Sequence, residues 1–229
     1  MKNEQKFDEE INLLLNEVSD TCHKFAHEID RDFYVFQTPI IYNPDLLIIG
    51  INPGGGKSYT KARKEKNYEK RPANDLYYTD NTLTTKPEWE IDAKLQGSDI
   101  LRNRLGRVFN TENNLDILER SVMMNMIYFN SEKAHEIFSL SPEIIEYCLN
   151  TTQKFVEVIN PKNILFLTSN NWSLSKCGVK GIKSLGNNIK EGKLNNRTVY
   201  AIPHYGYYSA YSHVNSELMG KKLAELFTV

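Results

Sequence analysis

Residues 45–51 read DLLIIGI and run straight into Asn52-Pro53-Gly54-Gly55-Gly56. A short unbroken apolar run closed by turn formers reads as a strand buried on both faces rather than on one. Such a strand needs helices above and below it, and the rest of the chain offers them. Phe7, Ile11, Leu14, Leu15, Val18, Cys22, Phe25 and Ile29 recur at helical spacing, predicting an amphipathic helix over about residues 4–30. Residues 100–109 have the same periodicity, and 212–227 read as a closing helix. Ser141-Pro142-Glu143 opens another, which continues to about residue 159, with a capping serine and proline in its first turn. Further apolar runs at 120–129, 163–168 and 198–202 read as strands, and 33–42, interrupted by Pro39, as an extended approach segment. Strands alternating with helices imply an α/β fold, a mostly parallel sheet covered on both faces. In such sheets ligands bind beyond the carboxyl ends of the strands. The expected working site is therefore the pair of loops 50–56 and 204–210.

Several classes are disfavoured. The longest apolar runs, such as 46–49 and 164–167, fall far short of the ~20 residues of a membrane span. The start, MKNEQKFDEE, lacks the apolar centre of a secretory signal. Cys22, Cys148 and Cys177 are odd in number and widely spaced, which argues against a disulfide framework or a zinc knuckle. A cytoplasmic, reduced reading follows: no membrane, no metal, no cofactor. His23 and His27, four apart on the first helix, lack further ligand spacing and read as ordinary helix residues.

Net charge is −1, yet residues 57–71 hold seven basic side chains (Lys57, Lys61, Arg63, Lys64, Lys66, Lys70, Arg71) against Glu65 and Glu69. Tyr59 and Tyr68 are interleaved. Cations mixed with aromatics suit a phosphate backbone and unstacked bases; a solvated polar insertion over 57–97 fits the same run. Gly56-Lys57-Ser58 imitates the end of a nucleotide-binding P-loop. The spacing G-x-x-x-x-G-K-[ST] would place the first glycine at residue 51, which is Ile51, and Pro53 lacks a cradle amide.

Gly50-Ile51-Asn52-Pro53-Gly54 is better taken as one unit. Proline sets the turn, glycines admit a ligand close to the backbone, and Asn52 stands just past the strand with donors and an acceptor. Here the chain resembles the uracil-DNA glycosylase superfamily, whose first motif is a strand followed by a G-x-[DN]-P turn; the G-x-N-P-G form is similar to the mismatch-specific and single-strand-selective branches. Residues 122–125 (VMMN) resemble that family's second strand, which ends in a base-reading asparagine. His204-Tyr205-Gly206-Tyr207-Tyr208-Ser209-Ala210 resembles its H-P-S-P-L-S-A motif at His204, Ser209 and Ala210; its proline and serine positions, Tyr205, Gly206 and Tyr207, do not match.

The resemblance spans about residues 40–215 and implies a single domain over 1–229: a three-layer α/β/α sandwich around a four-stranded, mostly parallel sheet. It implies a monomeric, monofunctional DNA glycosylase acting on uracil or a related damaged pyrimidine flipped out of DNA. Asn52 would orient the water and His204 would donate to the departing base. Asn125 would bind the amide edge of the pyrimidine, with Gly50, Ile51, Pro53, Gly54, Gly55 and Ser209 around it. Tyr59 would stack on the base and Tyr208 would wedge into the gap. Lys57, Ser58, Lys61 and Arg63 would meet the DNA backbone. Gly54 stands where the most uracil-selective branch has a tyrosine, which implies tolerance of substituents at the pyrimidine 5 position. Each residue also has a plain reading: Asn52 capping its turn, Asn125 satisfying buried backbone, His204 and Tyr208 packed structurally. The alternative function is a catalytically inactive nucleic-acid-binding protein of the same fold.

Overall fold

A computed structural model describes residues 2–56, 58–64, 76, 83 and 99–227. Helix α1 (Lys2–Ile29) is followed by β1 (Leu46–Gly50), α2 (Tyr59–Lys64), α3 (Asp99–Asn110), α4 (Leu115–Glu119) and β2 (Val122–Asn125). The chain continues through α5 (Pro142–Ile159), β3 (Asn163–Phe166) and α6 (Asn171–Lys176). It ends with β4 (Lys180–Gly186), β5 (Ile189–Leu194), β6 (Arg197–Ala201) and α7 (His213–Leu226).

The strands form one sheet in the order β2-β1-β3-β6-β5-β4. The pairs β1–β2, β1–β3 and β3–β6 are parallel, whereas β5 pairs antiparallel with both β6 and β4. The α/β class holds, but the sheet is six-stranded and mixed rather than four-stranded. The four strands read from apolar runs are its parallel part, and a hairpin extends one edge.

Alternation along β1 explains the layering. Leu47 and Ile49 join the core that contains Val18 and Leu15 of α1 and Ile144 and Phe155 of α5. Leu46 and Ile48 join the opposite core, with Leu105 and Val108 of α3 and Met219 and Leu223 of α7. All four β1 side chains are buried completely, and each contributes about 1.5–3 kcal/mol relative to exposure. The second helical layer depends on Gly220, because a Cβ there would lie 2.2 Å from the Val108 carbonyl oxygen. Any side chain at that position would push α7 off α3.

The expected cap at Ser141 is present, and Ser212 supplies a second. Ser141 Oγ accepts from the Ile144 amide, with Pro142 at the start of α5, and Ser212 Oγ accepts from the Asn215 amide on α7. Of the run 120–129, only Val122–Asn125 is strand. The remainder turns along the sheet edge, where Phe129 bridges Phe33 and Ser131 bridges Gly54. Segment 33–42 approaches as an extended stretch, with the Asn125 amide donating to the Val35 carbonyl and the Phe36 amide to Leu76.

Candidate functional site

Parallel pairing sends the carboxyl ends of β1, β2, β3 and β6 to one edge. Continuation bonds tighten that edge: Met126 N–H to Gly50 O, Leu167 N–H to Ile49 O, and Ile202 N–H to Phe166 O. Asn52, Asn125 and His204 therefore leave the same rim from different strands. With two strand spacings between β1 and β6, the Asn52 and His204 loops start about 10 Å apart.

Asn52 sits in a clamped turn. Its Nδ2 donates to Pro53 O at 2.7 Å and to Ser131 Oγ at 3.0 Å. Since Pro53 O can only accept, the network sets the amide's orientation, and Oδ1 is the atom left to accept. Ser131 holds the turn from outside, its amide donating to Pro53 O and its hydroxyl to Lys133 O. Ile51 O receives the Ile127 amide, and the Ile51 side chain packs on the α1–α5 core. Gly55 has φ 99°, a left-handed conformation natural to glycine. A Cβ on Gly54 would meet nothing within 4 Å.

Asn125 ends β2 opposite Gly50. Its Nδ2 donates to Tyr34 O at 3.2 Å, while Oδ1, in a residue 1% exposed, has no hydrogen-bond partner among the described residues. A Cβ on Gly50 would come within 3.1 Å of that oxygen. Glycine at 50 thus gives the Asn125 amide its space. By strand alternation both residues face the side covered by α3 and α7.

His204 is neutral-biased by its surroundings. Burial lowers its pKa, and the Arg104 guanidinium lowers it further. Its Nδ1 lies 3.1 Å from the Gly206 amide, which donates to it, so the neutral ring carries its proton on Nε2. Tyr205 lies against the imidazole, ring centroids 4.0 Å apart. Arg104, on α3, donates to the Tyr205 carbonyl and holds its guanidinium 5.5 Å from the Tyr208 ring centroid. Tyr208 is 79% exposed and Tyr207 68%. Ser209 O accepts from Asn215 Nδ2, which ties the loop to α7, and Tyr211 Oη donates to Pro203 O from beneath.

The remaining expected residues lie elsewhere or in different company. Tyr59 packs on α1, its hydroxyl 2.8 Å from His23 Nδ1 and the Arg63 guanidinium 5.0 Å over its ring. A base stacking there would have to displace Arg63. Burial and Arg63 together lower the His23 pKa. Ser58 Oγ accepts from the Lys61 amide at the start of α2, and Lys61 is exposed. Lys57 lies outside the described residues, as does most of the 57–97 insertion. Among the described residues, no group of three or more His, Cys, Asp or Glu could hold a metal ion, and no helix is long and apolar enough to cross a membrane.

Sequence reasoning missed Ser131 and Arg104. Ser131 is six residues past a strand end and gains meaning only through its bridge to Gly54. Arg104 was legible only as a polar position on a helix. It also missed the β4–β5 hairpin, although Gly186-Asn187-Asn188-Ile189 carried a signal. Asn187 and Asn188 take φ of 50° and 61°, the backbone of a tight two-residue hairpin turn. No protein-family model matches the chain, and no curated protein matches it.

Proposed function

We propose that this chain is a monofunctional DNA glycosylase that hydrolyses the N-glycosidic bond of uracil or a related damaged pyrimidine. The observation that carries the reading is Asn125 Oδ1, a buried acceptor without a partner among the described residues, at the carboxyl end of the edge strand β2 and opposite Gly50 of β1. Leaving such an atom orphaned costs about 1–3 kcal/mol, which a ligand N–H would offset. An amide with a free acceptor and one remaining N–H matches the adjacent N–H and C=O of a pyrimidine's edge.

The other groups supply the chemistry. As the C1′–N1 bond breaks, its electron pair passes to the base and charge gathers on a ring carbonyl oxygen. His204, neutral with its proton on Nε2, donates to that oxygen without having to shed a proton first. Asn52 Oδ1 accepts from a water and so turns the water's lone pair toward C1′; the water's oxygen bonds to that carbon and the water's spare proton leaves to solvent. A carboxamide is not a base, so leaving-group stabilisation carries most of the acceleration. Open space at Gly54 supports tolerance of substituents at the pyrimidine 5 position. DNA as partner, action as a monomer and a role in base excision repair belong to the same proposal.

One observation favours a second reading, a nucleic-acid-binding protein without catalysis: the Tyr205 ring covers one face of His204. Base release separates the two. A labelled uracil-containing oligonucleotide is incubated with the protein in chelator, and abasic sites are then cleaved with alkali. Strand scission lost in Asn52→Ala and His204→Ala supports the enzyme. Oligonucleotide binding with no scission by the unaltered chain overturns it in favour of the binder.

A further inference from the structure

The hairpin that sequence reasoning missed changes the charge map. From Asn170 to Arg197 the chain carries six basic residues and a single acidic one, Glu191, in a molecule whose net charge is −1. Glu191 is already paired with Lys183 at 3.1 Å. Lys180 stands directly opposite Lys193 across the β4–β5 ladder, an arrangement of like charges that sheets ordinarily avoid. Among the described residues, Lys176, Lys180, Lys190 and Lys193 have no carboxylate partner. In the sequence this positive charge lies about a hundred residues after the basic run at 57–71.

Its inner end lies on the rim that holds the candidate site. Lys190 pairs in register with Ala201, the last residue of β6, three residues before His204. Its Nζ donates to Ser169 O at 2.7 Å and to Asn171 Oδ1 at 2.6 Å, in the loop that leaves the carboxyl end of β3. Next to Asn171, Trp172 is 48% exposed, with Lys176 Nζ 5.6 Å from its ring centroid. The tryptophan backbone is fixed, because Asn170 Oδ1 accepts from the Trp172 and Ser173 amides and Thr168 Oγ1 accepts from the Asn170 amide. A large half-exposed indole on a fixed backbone has only its side-chain torsions to lose when it takes up a flat ligand.

We infer that Trp172, Lys176 and Lys190 form a landing track for single-stranded nucleic acid beside the reacting nucleotide, the indole stacking on a base and the two lysines meeting phosphates. The track faces the α1–α5 side, whereas Asn125 faces the α3–α7 side, so a strand reaching both crosses the rim between the two helical layers. Indole stacking tolerates any base, and lysine reads charge rather than sequence. The track therefore supplies affinity and leaves selection to Asn125. The inference takes its location from the glycosylase reading, but binding alone tests it.

The full chain with Trp89→Phe, which leaves Trp172 as its one indole, is titrated with oligothymidylate while tryptophan fluorescence and Kd are followed at several salt concentrations. Quenching of Trp172 on saturation is expected. In the unaltered chain Trp172→Ala should weaken binding roughly 5- to 100-fold, and Trp172→Phe, which keeps a stacking ring, should restore most of it. Lys176→Gln and Lys190→Gln should each lower the slope of log K against log salt by about 0.7. Lys6→Gln, on the far part of α1, should leave it unchanged. Oligothymidylate binding without a fluorescence change, equal affinity in Trp172→Ala, or equally tight binding of polyglutamate would each overturn the track, the last in favour of an acidic protein surface. Binding through Trp172 in a chain that releases no base would instead overturn the glycosylase reading and leave the track standing.

Discussion

In the turn after β1, Asn52 is held by Pro53 O and Ser131 Oγ, and segment 126–131 is laced to it by backbone bonds. In the loop after β6, Tyr207 and Tyr208 project into solvent, and the main fastenings are Arg104 on Tyr205 O, Asn215 on Ser209 O and Tyr211 on Pro203 O. The first loop spends its polar groups on itself and keeps one acceptor outward. The second keeps two aromatic rings outward, carries the His204 donor, and is supported from below by other elements. A rigid turn suits a group that must aim a water, because small displacements there are costly in rate. A supported but protruding loop suits groups that must enter a duplex.

The largest test of this contrast is His204→Ala. Losing the donor to the departing base should lower single-turnover base release by roughly 10²–10³-fold. Thermal unfolding should barely move, because the ring is only partly buried. A large fall in Tm with unchanged base release would recast His204 as structural.

Next comes Asn125→Ala beside Leu165→Ala in β3, on the other side of β1. Leu165 is packed on all sides and should lose about 2–5 kcal/mol in denaturant unfolding. Asn125 is as deeply buried, yet removing its orphaned oxygen offsets the lost bond to Tyr34 O, so the change should stay within about 1 kcal/mol. Base release should nevertheless be lost.

Ser131→Ala should cost about 1 kcal/mol of stability and lower the rate while leaving Kd for DNA unchanged, since it frees Asn52 without touching the histidine loop. Equal losses in rate and binding would show that the two loops are coupled.

The smallest effect concerns pH. Burial and Arg104 hold the His204 pKa below its ordinary 6.5. Between the lowered value and 6.5 the unfolded chain binds more protons than the folded one, so stability from this site is complete above 6.5 and falls as pH drops through that window. Arg104→Met removes the lesser cause, and the imidazole NMR titration should move upward while staying below 6.5. The acid limb of base release should move upward with it. An unshifted titration would leave Arg104 only its contacts with Tyr205 and Tyr208.

Much of the parallel sheet could be read directly. Residues 46–49, 122–124 and 164–166 are apolar runs because strands buried on both faces have no polar side to show. Ser141, Pro142 and Ser212 marked helix starts because capping is a local bond. The hairpin was hidden by its composition. In β4 only Ile182 and Leu185 meet a core, and register shifts at 180–183 and 184–186 break the two-residue alternation.

The sequence determined which residues become strand ends, since hydrophobic runs and turn formers act over a few neighbours; it therefore named Asn52, Asn125 and His204 as polar groups leaving buried strands. Tertiary structure alone decided their states. That Asn52 has one atom left to accept, that Asn125 Oδ1 has no partner among the described residues and that His204 Nδ1 is occupied depend on Ser131, Tyr34, Gly206 and Arg104. Apart from Gly206 these lie tens of residues away, and no local pattern encodes which of them arrives.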